Sequence, residues 1–375
     1  MSTDTAGRVW AHLADGLQLR EARIEIGAGS IQTLIKEQHQ PQVALNAARD
    51  SGLLDDCQTL VVKDESRNHR WCRITDLSPL AGLTQLQELS IHCTEAPDIT
   101  ALSTLSSLRR LKLSHCSKIK DLSPILTLIA LDELDLQGTT VAELPSLEPL
   151  TQLTRLNLYS SHLVTLDLAN LPLLQTLCTK EQTSKTQQAP LWGGSLETIR
   201  LVALPALRSV QFAFCRQLRH AELSALDAVE LISLESCQAL QGLAIAGLAQ
   251  LTTLDIRHCT ALDAVSVTNA PALTRIEAAL CASLSDLNGF STLSGVTHMD
   301  LSRCTTLTSL DGIAGLEALQ VLKLNGCTAL TDISALAALP ALQRLDLRGC
   351  TALEPGLQRY LMQRRRVESF QQALA

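Results

Sequence analysis

The sequence predicts an α/β solenoid, a stack of similar coils with a cap at each end, rather than a globular domain around one core. Two observations carry this. Cysteines recur at a fixed spacing, with Cys215, Cys237, Cys259 and Cys281 lying 22 residues apart and Cys304, Cys327 and Cys350 lying 23 apart. Each sits at the end of the same apolar pattern, L-x-x-L-x-L-x-x-C, as in "LQVLKLNGC" from Leu319 and "LQRLDLRGC" from Leu342. A constant period of this length marks an internal repeat.

The L-x-L core of the pattern alternates with period two, so it is a short strand with one buried face. A lone strand of this kind cannot bury itself, whereas stacked copies shield one another. The first leucine position is filled by Leu86, Leu108, Leu131, Leu153, Leu174, Leu207, Val229, Leu251, Leu273, Val296, Leu319 and Leu342, and Cys57 opens an earlier copy through Leu60 and Val62. The 375-residue chain is 46% hydrophobic but only 2% aromatic, so aliphatic residues must build the core. In the middle, a second apolar motif follows at a half period of 11. Examples are "LVTLDL" (163–168), "LETIRL" (196–201), "LRHAEL" (218–223), "LQGLAI" (240–245) and "LDAVSV" (262–267). These read as extended segments on the opposite side of the coil.

The recurrence of L-x-x-L-x-L-x-x-[N/C]-x-L resembles the leucine-rich-repeat family over residues 57–353. Tails such as "ITDLSPLAGL" (74–83), "IKDLSPILTL" (119–128) and "LTDISALAAL" (330–339) are similar to its 22-residue class, to which internalins and the phosphatase-1 regulatory repeat subunit belong. The resemblance implies a curved, right-handed array whose parallel sheet lines the concave side. In most such repeats Asn holds the ninth position and satisfies buried backbone groups. Here Cys116, Cys215, Cys237, Cys259, Cys281, Cys304, Cys327 and Cys350 stand there, with Thr94, Thr139 and Ser161 in other copies and Cys72 after an insertion. A thiol is a small hydrophobe with a weak donor, so an inert ladder is expected rather than redox or metal chemistry.

Outside the repeats, 1–56 is expected to form an N-terminal cap. Trp10, Leu13 and Leu17 have helical spacing, "RIEI" reads as a strand, and Ser30 would cap a helix through Ile31, Leu34 and Ile35. Residues 354–375 are expected to form a capping helix, with Pro355 in its first turn. Insertions near 63–71 and 179–195 each carry a tryptophan, Trp71 and Trp192. These either cover gaps in the stack or anchor a partner, since exposed Trp is a frequent binding hot spot.

Strand alternation sends the third, fifth and seventh positions outward. The rows mix acids and bases in near-equal number, which together with a net charge of −7 disfavours nucleic acid. One acidic run, Asp255, Glu277 and Asp300, has Arg257, Arg275 and Arg303 nearby. Self-paired charge ladders are the plain expectation, and a basic partner segment the sharper one. Tyr159 is the sole aromatic in these rows. A cluster of His92, Cys93, His115 and Cys116, and a lone thiol at Cys178, lack the short ligand spacings of a metal or nucleophile site.

The reading is a non-enzymatic recognition scaffold without cofactor, binding, inhibiting or regulating a protein. The alternative is a bacterial effector translocated into another cell, and a cryptic Cys/His enzyme or metal site comes last. No long apolar run or secretory leader is visible. The expected setting is cytoplasmic, or a host cell reached without a cleavable signal, and the expected state is monomeric, away from membranes.

Overall fold

The computed structural model describes residues 41–50, 52, 54–64, 74–92, 94–159, 161–178 and 195–353, with the strands Ser2–Thr3, Val9–Trp10 and Ala22–Gly27. The chain divides into two compact units, each built of stacked parallel strands in solenoid fashion. The first comprises Met1–Leu163 and Asn170–Glu181; the second comprises Val164–Ala169 and Gln182–Ala375.

In the first unit the L-x-L segments form one sheet. Thr59–Asp64, Glu88–His92, Arg110–Ser114, Glu133–Asp135, Arg155–Asn157 and Thr176–Cys178 pair in parallel in that order. The register aligns equivalent positions, Leu60 with Leu89 and Leu89 with Leu111, so the copy opened by Cys57 is a true coil. Ala22–Gly27 adds to the edge antiparallel to Thr59–Asp64, which places the "RIEI" strand.

The helix Pro41–Asp50 was not foreshadowed by the sequence pattern. It buries Leu45 and Ala48 and reaches the first coil with polar side chains. The Gln42 Nε2 donates to Asp76 O at 2.9 Å and its Oε1 accepts from the Thr75 and Asp76 N–H groups, while Arg49 Nη2 donates to Ala81 O at 2.9 Å. Val9–Trp10 is not helical: it pairs antiparallel with Ser2–Thr3, as a β-branched and aromatic pair favours. Leu13, Leu17, the helix expected from Ser30 and the helix expected over 354–375 lie outside the described residues.

The second unit holds two parallel sheets. The main sheet runs through Ser209–Gln211, Leu231–Ser233, Thr253–Asp255, Arg275–Glu277, His298–Asp300, Val321–Lys323 and Arg344–Asp346. The half-period motifs form the second sheet, from Thr165–Ala169 through Thr198–Val202, His220–Ser224 and Gly242–Ala246 to Ala264–Thr268. Leucines from both sheets meet between them. Leu254, Ile256, Leu243 and Ile245 are at most 2% exposed.

The side of the coil opposite the main strand is a 3₁₀ turn in some coils and a strand in others, whereas 141–150 is neither. Where the tail reads D-x-[S/T/N], the carboxylate caps a 3₁₀ turn. Asp76 accepts the Ser78 N–H at 2.8 Å, Asp98 that of Thr100 at 2.7 Å, and Asp286 that of Asn288 at 2.7 Å. Where the tail repeats the alternating apolar motif, it forms a second-sheet strand. The change from strand to turn occurs between Ala264–Thr268 and Asn288–Phe290, which pack together. Gly289 permits it, since a Cβ there would lie 1.8 Å from the Val265 carbonyl oxygen.

The turn after each second-sheet strand is left-handed. Ala203, Ala225, Gly247 and Asn269, spaced by 22, have φ from 51° to 69°. A Cβ at Gly247 would meet only ordinary contacts, so alanine there would feel the dihedral cost alone. Gly247→Ala should therefore lower unfolding stability by about 1–2 kcal/mol, whereas Ala225→Gly should hold or raise it by up to about 1 kcal/mol. Gly289→Ala should cost at least about 1–3 kcal/mol, because backbone must move. Urea titrations of the three variants check these outcomes.

Candidate functional site

The ninth position forms a continuous ladder in the second unit. From Cys237 onward each thiol donates to the carbonyl of the sixth-position residue in the preceding coil. Cys237 reaches Phe212 O, Cys259 reaches Leu234 O and Cys281 reaches Ile256 O, all at 3.1 Å. Cys304 reaches Ala278 O at 3.3 Å, and Cys327 and Cys350 reach Leu301 O and Leu324 O at 3.1 Å. These carbonyls face the dry interior, where an unmet acceptor is costly.

In the first unit the ladder is mixed. Thr94 donates to Ile74 O at 2.8 Å, and Thr139 turns back to Leu136 O of its own coil at 2.9 Å. The Ser161 hydroxyl is buried and, among the described residues, has no hydrogen-bond partner. Desolvation pushes the Cys57 thiol up to about 11 and those of Cys281 and Cys327 up to about 12, and raises Cys259 and Cys304 further. Such thiols stay protonated at neutral pH and are poor nucleophiles.

The outward rows of the main sheet are present as the alternation requires. Asp255, Glu277 and Asp300 lie in direct register on neighbouring strands. They are not an open acidic strip, because each holds a cation. Arg257 forks onto Asp255 through Nε–Oδ1 at 2.9 Å and Nη2–Oδ2 at 2.7 Å, and also lies 3.4 Å from Glu235. The Asp255 carboxylate raises the Arg257 guanidinium above its ordinary value. Arg275 pairs with Glu277 at 2.5 Å.

Asp300 pairs with Lys323 at 3.0 Å rather than with Arg303. Lys323 stands directly opposite it in the strand register, whereas Arg303 occupies the left-handed eighth position, φ 62°, where strand alternation ends. Burial pulls the Asp300 carboxyl upward, but hydrogen bonds from Ser302 and the Lys323 ammonium outweigh it and the net shift is downward. In the first unit Arg110 pairs with Glu88, and Lys112 with Glu133 at 3.2 Å. Tyr159 is half-buried there at the seventh position.

Trp71, Trp192, Cys72 and Cys93 lie outside the described residues. The His92 and His115 rings meet edge to face with centroids 5.1 Å apart. Cys116 is buried in the ladder, its thiol 3.7 Å from Ile91 O. Among the described residues no group of three His, Cys, Asp or Glu side chains is placed to hold a metal ion. Cys178 is half-buried on the edge strand Thr176–Cys178. No described helix is long and apolar enough to cross a membrane.

A feature absent from the sequence reading lies on the outer face of the second sheet. A groove of about 920 Å³ crosses its strands, lined by Asp167, Arg200, Glu222, Ala244 and Ser266. These are the middle residues of the half-period motifs, the x of each L-x-L, so alternation applied to those motifs would have found them. Arg200 pairs with Asp167 at 2.9 Å and lies 3.6 Å from Glu222.

A coil of about 22 residues with an L-x-L strand, a ninth-position ladder and a tail of 3₁₀ or strand form defines a leucine-rich-repeat solenoid. No family model matches the chain, and no curated protein matches it. Solved structures do resemble it. An internalin (inlF) from Listeria monocytogenes is 17% identical over 84% of this chain and 92% of its own, with a TM-score of 0.37. The functional domain of InlJ from the same organism, described as including a cysteine ladder, is 16% identical over 86% of this chain and 80% of its own, at 0.31. A leucine-rich-repeat protein from Leptospira interrogans is 18% identical over 83% and 89%, also at 0.31.

The ladder makes two outcomes measurable. Cys259→Ala removes the donor to Leu234 O and leaves a void, and should cost about 1–3 kcal/mol in urea unfolding. The folded chain keeps protons on thiols that ionise near 9.0 when free. Above that pH the unfolded chain binds fewer protons than the folded one. The ladder's contribution is thus fully present below about pH 9 and declines as pH rises toward 12. Urea midpoints between pH 7 and 11 should fall only at the alkaline end.

Proposed function

We propose that this chain is a non-enzymatic scaffold that recognises a protein partner through the outward face of its main sheet. The observation that carries the reading is the set of fixed ion pairs on that face. The Arg257–Asp255, Arg275–Glu277 and Lys323–Asp300 pairs place charges of both signs at defined sites on adjoining strands. Side chains already held in one geometry lose little freedom when a partner with the opposite pattern docks, which favours affinity and specificity. Trp71 and Tyr159 of the first unit and, separately, Trp192 of the second are further candidate aromatic anchors for a partner.

The proposal extends to the ends and the setting. Residues 1–56 and 354–375 act as caps that keep core leucines from water. A ladder of reduced thiols suits a reducing compartment.

The test uses immobilised full-length protein to recover a partner from extract of the source cell. An Arg257→Glu/Lys323→Glu variant should reduce recovery at least about tenfold, equivalent to about 1.4 kcal/mol, with an unchanged melting curve. A Trp71→Ala/Trp192→Ala variant tests the inserted segments separately. Equal recovery by wild type and both variants would reject this surface.

A further inference from the structure

We infer that the groove on the outer face of the second sheet is a docking site for an extended peptide segment carrying a lysine or arginine side chain. The inference rests on the scaffold reading above and assigns it a second contact surface.

The row of middle residues changes character along the sheet. At one end Asp167, Arg200 and Glu222 form a closed charge triplet, with Arg200 between its acids. Beyond it the row continues as Ala244 and Ser266, flanked by Gly242 and Ala264. From Glu222 across to Ser266 the surface is made of small side chains over two strand spacings, roughly 10 Å. The floor drops at Ala244 and Ser266, while the His220 ring stands at its side against Gly242. Gly289 closes the far end, seated against the Val265 carbonyl.

The charge of the lining is one-sided. Asp167, Glu222, Asp263 and Asp286 line the groove against the guanidinium of Arg200 and the imidazole of His220. Arg200 is spent on the first two. Asp263 and Asp286 are exposed and form no ion pair among the described residues, although one Asp286 oxygen accepts the Asn288 N–H. The groove therefore offers a slender apolar floor ending at unneutralised carboxylates. A basic side chain fits both features, its methylene stem on Ala244 and Ala264 and its charged head at Asp263 and Asp286. An acidic or bulky aromatic segment fits neither. The main-sheet face differs in kind, because its acids already hold cations.

The probe is a fluorescent ten-residue Gly/Ala peptide with two lysines, compared with the same peptide carrying glutamines, titrated by anisotropy against the full-length protein. The lysine peptide should bind with a Kd below about 1 mM, and the glutamine peptide at least about tenfold more weakly. Ala244→Arg, which fills the floor and adds a cation, should reduce lysine-peptide binding by a similar factor. Asp263→Asn/Asp286→Asn, which adds no bulk, should do the same and covers the case in which Ala244→Arg misfolds.

Absence of lysine-peptide binding, equal binding of both peptides, or binding unchanged by either groove variant would overturn the inference. Groove variants that lose the peptide but keep the main-face partner would support it. Failure of wild type to recover any partner would count against the scaffold reading alone.

Discussion

The second unit depends on one interaction, the sideways hydrogen bond from a ninth-position side chain to a sixth-position carbonyl in the coil before it. Each chain turn must leave its strand and dive toward the core, and that move strips a backbone carbonyl of water. A donor on the next coil restores the lost bond without enlarging the coil. The thiol meets this need in Cys237, Cys259, Cys281, Cys304, Cys327 and Cys350, each 3.1–3.3 Å from its acceptor. It does so while filling space as a hydrophobe, so the same atom serves packing and polarity. The stacking register of both sheets in the second unit follows, because the donor and acceptor come from successive coils. Surface rows inherit that register, which is why ion pairs such as Lys323–Asp300 recur between aligned positions.

Much of this was legible in the sequence because the repeat writes the same instruction many times. The leucines of L-x-L announced the main strands, the half-period copies announced the second sheet, and the cysteine spacing announced the ladder. Each rests on side-chain alternation, which is local and periodic. What was hidden depends on dihedrals or on single unrepeated contacts. The left-handed eighth position is glycine at Gly138, Gly326 and Gly349, but His115, Phe214, Ser236, His258, Leu280 and Arg303 also take it, so composition conceals the turn. That turn in turn misdirected the pairing of Asp300, since Arg303 looked close in sequence while leaving the strand's geometry.

The N-terminal region was hardest to read for a related reason. The helix Pro41–Asp50 buries Leu45 and Ala48 and is tied to the coil by Gln42 and Arg49. Its apolar pattern is short and built mostly of alanine, Ala44, Ala47 and Ala48 beside Val43 and Leu45, unlike the leucine pattern that marks the coils. The candidate site was half legible in the same sense. The self-pairing of Asp255 and Glu277 was expected from the alternation, and only the partner of Asp300 differed, Lys323 in place of Arg303. The second-sheet groove is legible only when alternation is applied to the half-period motifs as well, whose middle residues Asp167, Arg200, Glu222, Ala244 and Ser266 line it.

The strand-to-turn boundary at Gly289 also bears on how such a chain lengthens over generations. Copying a whole coil inside the stretch that carries the second sheet would set like backbone beside like and need no new adjustment. Inserting the same coil beyond the boundary would demand another residue without a side chain wherever an extended backbone met a 3₁₀ turn. Growth by duplication is therefore easy among the second-sheet coils, whereas the 3₁₀ coils past the junction need a residue without a side chain again at Gly312, where a Cβ would lie 2.2 Å from the Leu287 carbonyl carbon.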